Sequence, residues 1–584
     1  MTTAAATPNP SACALPWWKQ TTVYQVYPRS FCDTNGDGIG DLRGVLSKLD
    51  VLAELGVETL WLTPFFDSPG RDLGYDVRDY RKIGAESGTF ADLVELRQEL
   101  SRRGMRLVFD LVLNHTSDQH PWFQQALLCP KSPERDYYLF RKGKGPRGDK
   151  PPNNWRSMIG PSGWQRDPTS GDYYFTSFLP FQPDLNHRNP AVTRNMLSIV
   201  RFFLEQGADG LRLDIFNALL KDPSFADNPF SFRPLPSEEN PDGFFQQNLY
   251  TINHKDSIEF ARTLRAFVDS VPEPEQPDGT LPRPGKERFL VGEVFGPPKL
   301  LRSYLGMPDD GLNLVFLFKT LRTPFSAEAF FDLIEEYERE FPAPLLPTWV
   351  LGNHDKPRYI ERLGNDARRA KVLSTLQLCA RGVPFVYQGE EIGMTNLDLP
   401  ADSALDPLSN MYGFVPTELR RLLRKKGILL NRDECRTPMQ WSMDENAGFA
   451  PPGTRPFLPV HPGFPFCNVE AQRKDPTSLF QHYKRLFALR RAFAALHGGS
   501  LALWHKTSVP KGVLAFTRQH EAQTVFVLLH FADDEAEVRL PFACEPLYST
   551  HGSPLLPPSR RLRLRPFEAV LLTPIPGSLG TFAP

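Results

Sequence analysis

Three stretches of the chain repeat one pattern: an amphipathic helix, a glycine, and an apolar strand that ends in polar residues. They are LDVLAELGVETLWLTP (49–64), ELRQELSRRGMRLVFDLVLNH (95–115) and MLSIVRFFLEQGADGLRLDIFN (196–217). In the last stretch Met196, Val200 and Phe203 share one helical face, and Gly207 can end the helix in a left-handed conformation. A helix followed by a short apolar strand is the unit of a parallel sheet covered by helices.

Five further apolar segments extend the pattern to eight strand candidates. They are residues 23–28, 288–295, 312–318, 348–355 and 383–391. Eight parallel strands separated by helical segments predict an α/β fold, the (β/α)8 or TIM barrel. The active site of such a barrel lies at the carboxyl ends of its strands.

Two regions break the alternation of strand and helix and divide the chain into predicted domains. Residues 111–184 are rich in glycine, proline and aromatic side chains, which indicates an insertion after the third strand. Beyond residue 498 short strands follow one another, as in an antiparallel β domain. The predicted catalytic barrel is therefore 1–110 plus 185–498, and the C-terminal domain is 499–584.

Proline is about twice as frequent as usual, with 57 in 584 residues. Many prolines fall within 222–242 and 272–286, which predicts long ordered loops. We expect the segment 222–286 to cover another part of the molecule and to shape the entrance of its site.

Composition limits the classes of partner. Lys and Arg number 67 against 68 Asp and Glu, a net charge of −1 that gives no field to attract nucleic acid or an anionic membrane. A small neutral substrate fits better. No apolar run reaches about 18 residues, so no membrane span is predicted. No feature of the sequence predicts an oligomeric state.

Cysteine usage and the N-terminal sequence both indicate the cytoplasm. The seven cysteines are scattered and form no CxxC pair, which predicts reduced thiols, with zinc binding or disulfides as the alternatives. The first residues lack the basic start and apolar core of a signal peptide. The cysteines are Cys13, Cys32, Cys129, Cys379, Cys435, Cys467 and Cys544.

Acidic residues recur at the ends of the predicted strands. Arg212 and Asp214 alternate along the fourth strand, so their side chains point to the same side, which is either the barrel mouth or a buried ion pair in the core. The other strand ends carry Asp110, Glu293 and Asp355. Because carboxylates are seldom buried, we expect these acids to converge on one pocket.

Motifs along nearly the whole chain resemble those of the α-amylase family of glycoside hydrolases (family 13). They are YQVYPRSFCDTNGDGIGDLRG, DLVLNHTS, QPDLN, GLRLD, GEVF, LGNHD and NRDECRTPMQW, in the family's order and spacing. Within the family the chain is most similar to the oligo-1,6-glucosidase and α-glucosidase branch. The resemblance implies a (β/α)8 barrel, a domain B inserted after the third strand, a C-terminal β-sandwich, and no organic cofactor.

The resemblance also implies catalytic roles for three acids. Asp214 corresponds to the nucleophile, Glu293 to the general acid/base, and Asp355 to the acid that binds sugar hydroxyls and helps to distort the ring. Retaining glycosidases need one ionised and one protonated carboxyl group across the scissile bond. We expect Arg212 to keep Asp214 ionised, and neighbouring acids in an enclosed site to raise the pKa of Glu293.

Further positions correspond to residues that bind the sugar in this branch. His115 and His354 match paired histidines that bond hydroxyl groups, although either alone is more often a structural histidine. Asp72 and Tyr75 resemble the acid and the aromatic platform of a closed glucose pocket, which favours removal of one glucose from the non-reducing end. The remaining predicted binding residues are Phe178, Arg212, Ile215 and Arg436.

The stretch DTNGDGIGD suggests a cation site. Asp33, Asn35, Asp37 and Asp41 supply oxygen ligands at a spacing that suits Ca²⁺. Gly44 stands where an EF-hand requires glutamate, so the loop is not an EF-hand. A solvated acidic turn is the alternative. The resemblance implies a structural Ca²⁺ assisted by the carbonyl of Ile39, with Mg²⁺ as the other candidate.

The residue after the nucleophile bears on linkage. In this branch a valine there accompanies α-1,6 specificity, and smaller residues or threonine accompany α-1,4 cleavage. Ile215 is branched like valine, so we predict a slight preference for α-1,6. His187 and Leu211 depart from the branch, where tryptophan and phenylalanine are usual.

Two other functions are compatible with the family. A glucosyltransferase or isomerase, of the trehalose synthase or sucrose isomerase type, uses the same covalent intermediate with a sugar as acceptor. A non-catalytic accessory subunit of a transporter needs a membrane span and usually lacks the acids. This chain has the acids, and its sequence predicts no span.

Overall fold

The computed structural model describes residues 15–272, 288–306, 310–400, 403–552 and 560–575. Eight parallel strands, here β1 to β8 in chain order, form one sheet. Their bounds are Val23–Val26 (β1), Thr59–Leu62 (β2), Arg106–Val112 (β3), Gly210–Asp214 (β4), Phe289–Gly292 (β5), Leu314–Val315 (β6), Thr348–Val350 (β7) and Val383–Tyr387 (β8). Each of the eight predicted strands is present, whereas Cys13 and 273–286 lie outside the described residues.

The sheet closes on itself almost completely. β1 pairs with β2 on one side and with β8 on the other, and the order runs β6-β5-β4-β3-β2-β1-β8-β7. Between β6 and β7 the Thr348 hydroxyl accepts from the Leu317 amide at 2.8 Å and donates to the Val315 carbonyl at 3.0 Å. The predicted TIM barrel is confirmed.

Amphipathic helices cover the outside of the barrel. In the helix Pro190–Glu205 the predicted face is buried, and Gly207 follows it with φ 93°. No helix in the described part of the chain is long and apolar enough to cross a bilayer. The long helices are Phe90–Arg102, Pro190–Glu205, Lys255–Ser270, Ala327–Glu340, Ala367–Cys379 and Leu479–Ala492.

Side chains alternate between two apolar cores along each barrel strand. On β4, Leu211 and Leu213 pack outward with the helices. The interior core includes Trp61, Val291 and Phe385, which fill the barrel. Arg212 belongs to neither core, and it lies on the interior side at the carboxyl end of the strands because it alternates with the two leucines.

The inserted region carries a small antiparallel sheet of its own. It contains the strands Phe140–Arg141, Trp164–Arg166 and Tyr173–Phe175, and β3 ends at Val112 before it begins. Trp155 and Trp164 lie in a separate apolar cluster beneath this sheet. The region after β3 therefore has its own sheet and apolar cluster, whereas residues 111 and 112 of the predicted insertion are the last two of β3.

Antiparallel sheets form the C-terminal region, as predicted. A five-stranded sheet and a two-stranded sheet share one apolar core, to which Phe526 and Leu528 contribute from one sheet and Val538 and Leu562 from the other. The strands are Ser500–Leu503, Val513–His520, Gln523–His530, Cys544–Ser549 and Ala569–Pro574 in the larger sheet, and Ala536–Arg539 and Arg561–Leu564 in the smaller.

Candidate active site

One buried guanidinium lies at the centre of the polar cluster. Arg212 is 2% exposed, and its Nη1 donates to Asp110 at 2.9 Å and to Asp214 at 2.8 Å. Its Nη2 donates to Glu293 at 2.5 Å. Arg212 and Asp214 were predicted to lie either at the barrel mouth or in a buried ion pair. They do both, because a buried ion cluster lies at the barrel mouth. Asp214 and Glu293 contact adjacent nitrogens of a single side chain.

Strand order explains why these two acids meet. Asp214 ends β4 and Glu293 directly follows β5, and the two strands are paired. The ladder continues past the strands, because the Glu293 amide donates to Leu213 and the Phe216 amide donates to the Glu293 carbonyl, both at 2.9 Å. Neighbouring strands lie about 5 Å apart, which is the order of separation that retaining glycosidases require.

Burial and charge give the two carboxyl groups different proton affinities. Burial raises the pKa of Glu293 to about 7, with the charges of Asp214 and Asp355 adding to the effect. Burial also raises the pKa of Asp214, to about 6, because desolvation outweighs the charge of Arg212. Arg212 acts in the expected direction, because its charge and its hydrogen bond both lower the pKa of Asp214. The pKa of Glu293 is the higher of the two, as expected for the general acid.

Asp355 is the most firmly ionised acid of the cluster. Burial acts to raise its pKa, but the neighbouring His354 and the guanidinium groups of Arg436 and Arg432 hold that pKa well below its usual range. Arg436 donates to the Asp355 carboxylate at 2.6 Å, and Arg432 does so at 3.4 Å. With 26% of its side chain exposed, Asp355 can present a carboxylate oxygen to a ligand.

The two predicted histidines both reach the cluster. Burial lowers the pKa of His354 to about 3 and also lowers that of His115, so both are neutral. The Gln25 amide lies 2.6 Å from His354 Nδ1, and if it donates there the proton of His354 is on Nε2. That nitrogen is buried and lies 3.2 Å from Asp355 Oδ2 without the alignment of a hydrogen bond, so it can donate to a ligand hydroxyl beside that carboxylate.

Tyr75 forms a wall of the cluster. Its ring stacks on His354 with centroids 5.3 Å apart, and its hydroxyl donates to Asp110 at 2.9 Å. Asp72 is 2% exposed and accepts from Gln182 at 2.8 Å. These contacts fix Tyr75 and Asp72 within the same polar cluster.

The partner of Asp72 is an arginine that the sequence analysis did not single out. Arg432 contacts Asp72 and Asp406, each at 2.7 Å, as well as Asp355. The Arg436 side chain is fully buried and donates to the His354 carbonyl and to the Asp355 carboxylate, so it holds these two residues in place. Both arginines stand in the motif NRDECRTPMQW, and spacing within one motif does not show which of them faces the cavity.

Phe178 and Ile215 lie at the rim. The half-buried Phe178 ring lies 5.6 Å from the Arg432 guanidinium carbon. Ile215 packs against Ala218, Ile252 and Phe295, and its amide donates to Glu293 at 3.4 Å. Its φ of 31° turns the chain sharply after Asp214.

The acidic loop 33–41 lies apart from this cluster. Asp33 accepts amide hydrogen bonds from Asn35, Gly36 and Gly38, and Asp37 accepts one from Ile39. In the described residues no group of three or more His, Cys, Asp or Glu could hold a metal by itself. The donor set is entirely oxygen, which suits Ca²⁺, provided that the Asn35 amide and the Ile39 carbonyl take part.

Comparison with known proteins identifies the family. The model of the α-amylase catalytic domain matches residues 25–499. The chain belongs to the α-amylase family of glycoside hydrolases. This α-amylase-family enzyme is 36% identical to the oligo-1,6-glucosidase of Parageobacillus thermoglucosidasius, over 95% of its own length and 98% of that protein.

Solved structures add a second group of relatives. A mutant isomaltulose synthase from Erwinia rhapontici NX5 superposes on the enzyme with a TM-score of 0.83 at 32% identity, covering 96% of the enzyme and 99% of that chain. An α-glucosyl transfer enzyme superposes equally well, with a TM-score of 0.83 at 32% identity over 96% of the enzyme and 100% of that chain. Hydrolases and transferases thus share this architecture.

Proposed function

We propose that the enzyme is a retaining, exo-acting α-glucosidase that removes the non-reducing terminal glucose of short oligosaccharides. The observation that carries the proposal is geometric: Asp214 and Glu293 accept hydrogen bonds from adjacent nitrogens of Arg212, at 2.8 and 2.5 Å, at the ends of paired strands, and burial raises the pKa of Glu293 to about 7. An ionised carboxylate and a protonated one are the two groups that the reaction needs.

The reaction takes two steps in this proposal. Asp214 attacks the anomeric carbon while Glu293 gives its proton to the departing glycosidic oxygen, so that a glucosyl ester forms on Asp214. Glu293, now ionised, takes a proton from water, and the hydroxide displaces Asp214. Two inversions retain the α configuration, and both carboxyl groups return to their starting states.

The proposed cleavage from the chain end rests on the residues that wall one side of the cluster. The ion pair of Asp72 with Arg432 and the stacked rings of Tyr75 and His354 bound the side of the cluster that includes Asp355. Buried polar groups of this kind can bond the hydroxyls of one hexose. A polymer cannot continue beyond such a pocket.

The substrate range tests this function. We expect kcat/KM for p-nitrophenyl α-glucoside and isomaltose to exceed that for starch, per chain end, by on the order of 100-fold. The first product should be α-glucose by NMR. The branched Ile215 beside Glu293 favours α-1,6 bonds, so kcat/KM for isomaltose should exceed that for maltose. Rapid depolymerisation of starch, or β-glucose as first product, would refute the proposal.

Glucosyl transfer is the second candidate, and the isomaltulose synthase and transfer-enzyme relatives favour it. Transfer differs only in the acceptor that attacks the ester on Asp214. The products formed from sucrose distinguish the two: glucose plus fructose indicates hydrolysis, and an isomeric disaccharide indicates transfer.

We further propose that loop 33–41 binds Ca²⁺, with Mg²⁺ as the alternative, through Asp33, Asn35, Asp37, Asp41 and the carbonyl of Ile39. An ion bound only by the folded state stabilises it, so we expect Ca²⁺ to raise Tm by about 3 °C above that in chelator. The Asp37→Ala variant should lose this rise, and equilibrium dialysis should find one ion per wild-type chain. Equal Tm values with no bound ion would contradict the site.

We propose a cytoplasmic location as well. All six cysteines of the described part of the chain are free, which suits a reducing compartment. Labelling the native and unfolded protein with a thiol reagent should count seven thiols after unfolding, and a lower count without reductant would argue against this location.

A further inference from the structure

A long strap connects β4 to the next helix. It comprises residues 219–254, and one part of it is fixed to the inserted region. Asn228 and Asn154 exchange two hydrogen bonds of 2.8 Å, and Gln246 donates to the Asn154 carbonyl at 2.6 Å. The strap is therefore anchored on the domain that follows β3.

Glu238 joins the strap to several loops on the opposite side of the barrel mouth. The Glu238 carbonyl accepts from the Gly296 amide at 2.8 Å, shortly after Glu293. Its carboxylate pairs with Arg322, after β6, at 3.0 Å, and also with Lys356. Lys356 directly follows Asp355. Glu238 thus contacts the loops after β5, β6 and β7, two of which carry candidate catalytic acids.

Ion pairs, rather than close packing, hold this part of the strap. A cavity of about 380 Å³ separates it from the helix Ala327–Glu340, and Glu238, Lys319 and Arg322 line that cavity. The Glu238 side chain is only 10% exposed, so water screens its pairs less than at an open surface. Although burial acts to raise the pKa of Glu238, Lys356 and Arg322 lower it.

We propose that Glu238 is a positioning residue that fixes the acceptor side of the active site and thereby sets how the glucosyl group is divided between water and a second sugar. This inference rests on the proposed α-glucosidase function. Glu293 serves the leaving group, so the leaving sugar and any acceptor lie beside the loop after β5. The main-chain carbonyl of Glu238 holds that loop at Gly296, and the Glu238 carboxylate holds Arg322 and Lys356 in the loops after β6 and β7.

The test is Glu238→Gln, which keeps the shape of the side chain and removes its charge. We expect KM for isomaltose to rise about tenfold, and kcat for p-nitrophenyl α-glucoside to change less than about twofold. The fraction of isomaltose converted to transfer products at high concentration should fall at least about threefold. Glu239→Gln is the matched control, because Glu239 lies no closer than 3.9 Å to its partner Lys319 and is 43% exposed. It should leave all three quantities unchanged.

Lys356→Gln removes the same ion pair from the other side. If Glu238→Gln is not recovered folded, Lys356→Gln decides, and it should change KM and the product ratio in the same direction. Where both fold, the double variant should resemble Glu238→Gln, because that variant already lacks the ion pair that Lys356→Gln removes. Equal loss of activity on both substrates, with an unchanged product ratio, would show a purely structural role and overturn the inference. A wild-type enzyme inactive on every α-glucoside would instead refute the proposed function.

Discussion

Replacing Asp214 with asparagine is expected to lower kcat/KM for p-nitrophenyl α-glucoside by about 10⁴-fold or more, with Tm nearly unchanged. The amide has almost the same shape and still lies beside Arg212, but it cannot form the glucosyl ester. Circular dichroism and Tm report the fold, and initial rates report the loss. A variant that keeps a tenth of the wild-type rate would exclude Asp214 as the nucleophile.

Asp110→Asn is the matched control for that experiment. The Asp110 side chain is fully buried, so it is not exposed to a ligand. It accepts a hydrogen bond from the same Nη1 of Arg212 at 2.9 Å. Disturbing the guanidinium alone should therefore cost far less than losing the nucleophile. We expect Asp110→Asn to be at least about 100-fold more active than Asp214→Asn.

Replacing Glu293 with glutamine is expected to lower kcat/KM for isomaltose by about 10³-fold, in the range found for loss of a general acid. The loss for p-nitrophenyl α-glucoside should be at least about tenfold smaller, because p-nitrophenolate leaves without a proton. Equal losses on both substrates would show that Glu293 does not protonate the leaving group.

The pH profile gives a second measurement of the same role. Asp214 must be ionised and Glu293 protonated, so wild-type kcat/KM should fall below about pH 6 and above about pH 7. These limits belong to the interacting pair. The alkaline limb should disappear in Glu293→Gln.

Glu391→Gln is the control. Burial also raises the pKa of Glu391 to about 7, but Glu391 accepts a hydrogen bond from Tyr24 and lies outside the cluster. Its profile should keep the alkaline limb.

Local pattern was sufficient to predict the barrel. A strand covered on both faces is a short apolar run, and a helix that packs on the sheet has one apolar face. Both patterns can be recognised in the sequence without knowledge of tertiary contacts. The helix Pro190–Glu205 and β4 show this directly. The positions of Asp214, Glu293 and Asp355 at strand ends followed from the same reasoning together with the family motifs.

The sequence alone therefore determined the sheet, its order of helices and strands, and the acids that meet at one rim, because periodicity and strand ends are local properties. Only the tertiary structure decided that Arg432 is the partner of Asp72 and that Glu238 joins three loops. It also decided the pKa of Asp214, which burial raises by more than Arg212 lowers it. Such contacts unite residues far apart in the chain, and the pKa of a buried group depends on all its neighbours and on how much water they exclude.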